Sequence, residues 1–403
     1  MAYNNKLPLQ WNVDVHYALI FSKSWCEALG IWPWRDNEIL RSVHTSIICL
    51  MMIIDGALSF IQLLTKGACG VINDLMNTLI SLLVSSTGTI KIFTLWLHQE
   101  DLRYIISSTI DDWLNIKGKK SLEIMHQYAY WGRLAFILQT APIFIALGLI
   151  IWIDPLTMKI DNSETNGSRI RHVILAPSCW ISNAMPLNVY LLYYCFNLIN
   201  ITTIAFIYAG CDAFMFNITL HICGQFEILE ANMENFAVED DYSTHTNKIR
   251  EYSRRHNHLI QLGRRMDSVV NVIILSEILS NTILICASGI GVLVNMKVGN
   301  MNSVVISWAT RIYILYIQLF IYCYVGNKLS SHADTLRGII YNCSWYNMST
   351  HNVKDLQFMI MRNNDFCHLT GGKIVIMNYE TFTKISKNVF SFFSILRIIL
   401  ESN

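Results

Sequence analysis

Residues 134–153, LAFILQTAPIFIALGLIIWI, run for twenty positions without one charged side chain. An α-helix rises about 1.5 Å per residue, so roughly 20 apolar residues match the ~30 Å hydrocarbon core of a bilayer. Lipid offers no partner for exposed peptide groups, so a single apolar run crosses it as a helix. The stretch 44–64, HTSIICLMMIIDGALSFIQLL, reads the same way. Working outward, windows at 43–64, 73–96, 130–153, 186–209, 267–292, 303–326 and 379–400 predict seven spans. The second and fourth carry Ser, Thr and Asn, and the last, YETFTKISKNVFSFFSILRIIL, is the most polar. Hydroxyl side chains can bond the carbonyls of the preceding turn, which keeps these windows compatible with helices in lipid.

Composition agrees. The 403 residues are 53% hydrophobic and 15% charged, against roughly 25% charged in a soluble domain. A formal net charge of +1 supplies no field for a polyanion, so membrane lipid is an expected partner and nucleic acid is not. The opening MAYNNKLPLQWNVDVHYALIF has no compact apolar core behind a basic run. It is not read as a secretory signal, and the first span is expected to direct insertion. The eleven cysteines include Cys49, Cys195, Cys286 and Cys323 within apolar stretches, where they act as small hydrophobes. No C-x-x-C spacing occurs, and no metal or other cofactor is expected. Cys69 and Cys179 fall in loops on one side; a disulfide and two free thiols are both open readings.

Lys and Arg set orientation. The N-terminal segment and the second–third, fourth–fifth and sixth–seventh connections hold 22 of the 30 basic residues, against five in the other loops. The asymmetry predicts a cytoplasmic N-terminus and, with seven spans, an extracellular C-terminus. A G-protein-coupled receptor has the opposite topology, and its proline-kinked late helices are missing, since no proline follows Pro186. On this map the sequon Asn166-Gly-Ser168 lies in the long second outer loop and is a candidate glycosylation site.

The chain reads as one domain over 1–403: a cytoplasmic segment 1–42, six spans over 43–326, a cytoplasmic anchor segment 327–378 and the seventh helix at 379–400. In HICGQFEILEANMENF, Ile222, Phe226, Leu229 and Met233 form a helical stripe that extends the fourth helix beyond the bilayer. After Gly263, RRMDSVVNVIIL likewise starts before the bilayer. Residues 330–362 read as helix on both sides of a break near Ser349. Asp55, Glu277 and Arg311 are charges within spans, where charge is costly; structural pairing is favoured over ligand contact. A membrane enzyme needs clustered His, Asp or Glu. Arg254-Arg255-His256-Asn257-His258 lacks carboxylate partners at ligand spacing, so the chain is not read as an enzyme. A transporter predicts inverted hydropathy repeats, which are not seen.

Several stretches resemble insect odorant receptors, particularly the expanded sets of ants, bees and wasps. CEALGIWPW at 26–34 is similar to the family's pre-membrane motif. ICGQFEIL at 222–229 resembles the signature after its fourth helix, and GNKLSSHADTLRGIIYNCSWY at 326–346 its "GN…S…Y…W" run. The closing KDLQFMIMRNNDFCHLTGGKIVIMNYETFTKISKNVFSFFSILRII is the most characteristic. The resemblance implies an odorant-gated cation-channel subunit that assembles in tetramers with the odorant receptor co-receptor, joined through the cytoplasmic helices. The fourth–fifth connection is short here, which resembles a tuning subunit. A gustatory receptor of the same superfamily is the nearest rival, but its "TYxxxxxQF" ending is replaced by SFFSILRII.

The resemblance also implies that the seventh helix lines the pore, with Asn388, Phe392, Ile395 and Ile399 on one stripe and the gate at Ile395 and Ile399. An apolar constriction of this kind closes by dewetting. Read by pattern alone, the same residues are packing positions. Arg397 is expected to point away or toward the outer headgroups. The odorant, a small, volatile and mostly apolar partner, is implied to bind between helices two to six near the outer leaflet. Candidate lining residues are Met76, Ile80 and Leu83; Ile145, Gly148 and Trp152; Tyr190 and Tyr194; and Trp308, Ile312 and Tyr316. Each set is spaced to face one cavity, and core packing or an interfacial aromatic belt is the alternative reading.

Overall fold

The structure, a computed structural model, describes residues 11–34, 38–66, 72–161, 186–234, 242–297, 303–343, 345–363 and 368–402. The described chain is nearly all helix: α1 (Val13–Ala28), α2 (Glu38–Lys66), α3 (Ile72–Leu97), α4 (Gln99–Leu114), α5 (Lys119–Asp161), α6 (Leu187–Glu234), α7 (Tyr242–Lys297), α8 (Ser303–Asn342), α9 (Thr350–Asn363) and α10 (Tyr379–Ser402). Two short strands, β1 (Thr370–Gly371) and β2 (Val375–Ile376), pair antiparallel between α9 and α10.

Among the described residues, α2, α3, α5, α6, α7 and α8 are long and apolar enough to cross a membrane. The 24-residue α10 occupies the seventh predicted window but is not one of the six. On α2, Ile47, Leu50, Ile53, Ile54, Phe60, Ile61 and Leu64 point outward, whereas Thr45, Asp55, Ser59 and Gln62 are buried. A water-soluble helix has the reverse polarity, so this outer surface is made for lipid.

α6 has 48 residues and α7 has 56, lengths of about 70 and 85 Å at 1.5 Å per residue, far beyond a ~30 Å core. They run on at the end of the bundle that carries α1, α4 and α9, called here the extended end; the opposite end is the short end. The stripe Ile222, Phe226, Leu229 and Met233 is buried there with Leu259, Ile260, Met266, Leu336 and Leu356. Gly263 does not start α7, which begins at Tyr242. Buried Leu262 and Met266 on either side hold the helix through a residue that weakens isolated helices. The break near Ser349 lies between Asn342 and Thr350, spanned in part by a 3-10 turn at Trp345–Asn347.

Helix α1 was not legible as a helix in the 1–42 segment. Asn12 caps it by accepting Val15 N–H at 2.8 Å, and Val15, Ala18, Leu19, Ser22 and Cys26 face inward. The following LGIWPW motif clamps α1 to α2: Trp32 is buried, and Arg41 Nη1 donates to the Pro33 carbonyl at 2.6 Å.

The hairpin sets the start of α10. Thr370 donates its N–H and hydroxyl to Asp267 Oδ1 at 2.7 and 2.8 Å, and Gly372 N–H donates to the Asn271 carbonyl at 2.8 Å. Gly372 has φ +60, a left-handed conformation that glycine adopts without strain. Asn378 then caps α10 by accepting Thr381 N–H at 2.8 Å. The Met377 carbonyl lies so close to α8 that a Cβ on Gly326 would stand 2.4 Å from its oxygen.

Gly326→Ala is therefore expected to cost about 1–3 kcal/mol through displaced backbone and to lower the melting temperature of the detergent-solubilised protein. Gly338→Ala, where an added Cβ meets nothing within 4 Å, serves as the reference and is expected to leave melting unchanged or raise it slightly, since alanine favours a helix over glycine.

Candidate functional site

At the centre of the bundle Lys91 is fully buried, with its Nζ 2.7 Å from Asp212 Oδ1 and 2.7 Å from Glu277 Oε1. Asp212 also accepts from Tyr322 Oη at 2.7 Å, Gln139 Nε2 at 2.5 Å and Gln318 Nε2 at 2.8 Å. Gln318 Nε2 lies 3.1 Å from Glu277 Oε2 as well. The Lys91 ammonium sits 4.0 Å over the Tyr208 ring, whose hydroxyl bonds Thr87. One cation and two carboxylates thus tie α3, α5, α6, α7 and α8 together. Glu277 finds Lys91 rather than Arg311. Asp55 accepts from Ser81 at 3.2 Å and from Ser85, and Arg311 Nη1 donates to Asn77 Oδ1 at 3.0 Å. All three intramembrane charges singled out in the sequence have protein partners.

A second set of charges knits the extended end. Asp112 of α4 accepts from His221 Nε2 at 3.2 Å and from Arg255 Nη2 at 2.7 Å, and Arg255 also reaches Gln225 at 2.6 Å. Burial opposes the Asp112 charge, but the hydrogen bond and charge of His221 and the Arg255 guanidinium outweigh it and hold its carboxyl below the usual value. The contribution of this group to stability is therefore present at neutral pH and is lost only as pH falls through that lowered value. His258 packs on Ser108 at 2.9 Å, and His256 is buried beside Phe226. Arg255, His256 and His258 of the run 254–258 thus pack into the extended end, while Arg254 is exposed. Tyr128 donates to Glu227 at 2.6 Å, and His332 Nδ1 lies 2.8 Å from Glu230.

Helix α10 is strongly two-sided. Phe382 and Ile385 pack against the core, Val389 is buried, and Phe393 sits on α7 at Gly289. Phe382 meets Phe320 and Tyr316 of α8 with ring centroids 5.6 and 6.5 Å apart. Lys384, Lys387, Asn388, Ser391 and Ser394 are exposed, and Lys384 pairs with Glu380 at 2.8 Å. The stripe Asn388, Phe392, Ile395 and Ile399 lies about a quarter turn from Val389. Asn388, Phe392 and Ile395 are exposed; the side chain of Ile399 lies outside the described residues. Arg397 is exposed.

The predicted ligand-lining residues gather only in part. Met76, Ile80 and Leu83 are half-buried on α3, as are Ile312 and Tyr316 on α8. Tyr190 and Tyr194 of α6 lie with tilted rings 6.3 Å apart, and neighbouring Tyr193 accepts from Gln62 of α2 at 3.2 Å. Trp308 is buried on Gly291 of α7, under the Arg311 guanidinium at 4.6 Å. Tyr316 faces α10 and Ile145 is exposed. Gly148 has open space beside it. The Trp152 side chain, Asn166, Cys69 and Cys179 lie outside the described residues. Asp212 and Gln318 were missed: Asp212 falls just past the predicted fourth span, and neutral Gln318 raises no alarm in an apolar window. Glu277, singled out as a charge within a span, and Lys91 inside the second predicted span were the visible signals.

These features define a nearly all-helical, multi-pass membrane protein whose last helix docks one face on the bundle and leaves Lys387, Asn388, Ser391 and Ser394 outward. A family model described as 7tm Odorant receptor matches residues 71–390, and the chain belongs to this family. Odorant receptor 13a of Drosophila melanogaster is 24% identical over 196 residues, covering 44% of this chain and 46% of that protein. The odorant receptor coreceptor of Ooceraea biroi is 23% identical over 151 residues, 37% of this chain and 30% of that one. The matched stretch is thus less than half the length of these relatives. In fold, the chain is similar to the insect olfactory receptor OR5 from Machilis hrabei in complex with eugenol, with TM-score 0.74 and 12% identity, covering 96% of this chain and 100% of that chain. The family match favours an odorant receptor over the gustatory alternative.

Lys91→Met would leave two buried carboxylates without a cation, at a cost of about 3–5 kcal/mol; surface biotinylation is expected to show the receptor largely lost. Glu277→Gln, which restores a one-to-one charge balance, is expected to remain near wild-type abundance in the same assay.

Proposed function

We propose that this chain is the odorant-tuning subunit of a ligand-gated, non-selective cation channel, acting in a tetramer with the odorant receptor co-receptor at the dendritic plasma membrane of olfactory neurons. One observation carries the channel reading: α10 docks Phe382, Ile385, Val389 and Phe393 inward and leaves Lys387, Asn388, Ser391 and Ser394 outward. Polar groups facing lipid are costly, whereas a water-filled pore or a neighbouring subunit satisfies them. Ile395 and Ile399 then supply the apolar constriction. Seven spans with a cytoplasmic N-terminus put the extended end, with its basic loops, inside the cell. Coreceptors among the relatives and the short step from Glu234 to Tyr242 support the tuning role.

The odorant is proposed to bind toward the short end among α3, α5, α6 and α8, near Met76, Ile80, Leu83, Gly148, Trp152, Tyr190, Tyr194, Trp308 and Ile312, with Ile145 and Tyr316 at the margins. Burying about 250 Å² of apolar ligand yields about 6 kcal/mol, less association costs. One or two hydrogen bonds then decide between similar ligands. Glycosylation at Asn166 is proposed with this topology.

Co-expression with the co-receptor and recording against a panel containing eugenol and cuticular hydrocarbons is expected to give odorant-evoked cation currents; no current from any compound argues against the channel role. A tag after Asn403 is expected to be reached by antibody on intact cells. Ile395→Ala is expected to raise resting conductance or alter ion selectivity, and an unchanged channel would exclude it from the pore. Trp152→Ala is expected to reorder the panel without loss at the surface; lost surface expression with an unchanged ranking marks the residue as structural.

A further inference from the structure

Two glycines two residues apart on α7 are each filled by an aromatic ring from a different helix. A Cβ on Gly289 would stand 1.7 Å from Phe393 Cε1 of α10, and a Cβ on Gly291 would stand 2.6 Å from Trp308 Cδ2 of α8. Two residues are about 200° of helical rotation, so the notches open on nearly opposite faces of α7. Trp308 is 3% exposed and lies below Arg311, which reaches across to Asn77 of α3. One side of this α7 segment therefore touches the region proposed for the odorant, and the other touches the helix proposed to line the pore.

We infer that residues 288–291 of α7 are the coupling element between ligand and gate, with Gly289 and Gly291 as positioning residues and Phe393 as the contact that carries displacement to α10. The inference rests on the pore and pocket assignments above and adds the path between them. Backbone-to-ring contact makes the path stiff: a glycine notch brings a ring directly onto the helix, with no rotatable side chain between. A shift of Trp308 on one face moves α7, and α7 moves Phe393 on the other. The opposite end of α10 is held by the hairpin on Asp267 and Asn271, so displacement at Phe393 tilts α10 about a fixed start.

The test compares wild type, G289A, F393A and the pair G289A/F393L, each co-expressed with the co-receptor, with surface protein measured by biotinylation. The readouts are resting Na⁺ current per surface receptor and current evoked by the panel compound, eugenol included, that opens wild type best. G289A is expected to change the ratio of resting to evoked current by about 10-fold at unchanged surface level. The smaller aliphatic side chain in G289A/F393L is expected to restore the ratio, which a merely structural role does not predict. Should G289A be lost from the surface, F393A, which only removes atoms, is expected to show the same change. Ratios within about twofold of wild type for both G289A and F393A would overturn the coupling role while leaving the channel itself intact. A wild-type complex without current would instead remove the pore assignment, and this inference with it.

Discussion

Lys91 is a buried ammonium at 2.7 Å from each of two buried carboxylates, and the bundle is organised around it. A lone ion in such a place costs several kcal/mol, and the cost is recovered only with good geometry and every remaining lone pair used. Here Asp212 of α6 takes four donors from α3, α5 and α8, so none of these four helices can slide or rotate without leaving a charged group short of a partner. Apolar packing alone is weakly directional, and in lipid it gives little preference for one helix register over another. A polar hub supplies that preference. It also explains why the cluster recruits two neutral amides and a phenol, Gln139, Gln318 and Tyr322: they satisfy lone pairs without adding charge.

What could be read from the sequence follows from how local each signal is. Apolar windows are local, so the helices α2, α3, α5, α6, α7 and α8 appear at their predicted places, as does α10. The stripe from Ile222 to Met233 was legible for the same reason. The hub was not, because Asp212 and Glu277 choose Lys91 only after three helices meet, and a gap of 121 residues separates Lys91 from Asp212. Helix α1 was hidden because its inward face mixes Ser22 and Cys26 with Val15 and Leu19, a weak stripe that only packing completes. The hairpin escaped notice because its strands are two residues each and its form is fixed by Asp267 on another element. Among the candidate site residues, the α10 stripe was legible because a polar face on a span is conspicuous. The pocket was less so, since Trp308 and Tyr316 face α7 and α10, contacts that spacing along α8 does not reveal.

The two ends of the molecule differ in how completely they are packed, and that difference has mechanical meaning. At the extended end Leu259, Ile260, Met266 and Leu336 are fully buried, and polar contacts such as those of Asp112 with His221 and Arg255 lie among them. At the short end Met76, Ile80, Leu83, Tyr190, Tyr194 and Ile312 are only half-buried, and Gly148 has nothing against it. Stability is therefore uneven along the helices, lowest where contacts are sparse. A small ligand that fills space at the short end gains the most where packing is least complete, and it can move helices only where they are not already locked. The hub and the extended end act as the fixed frame against which such movement is measured. Because α10 is attached to α7 and α8 by a hairpin at one end and by Phe393 near the other, strain introduced at the loose end has, on the proposed coupling, a route to a helix whose exposed surface carries Lys387, Asn388, Ser391 and Ser394.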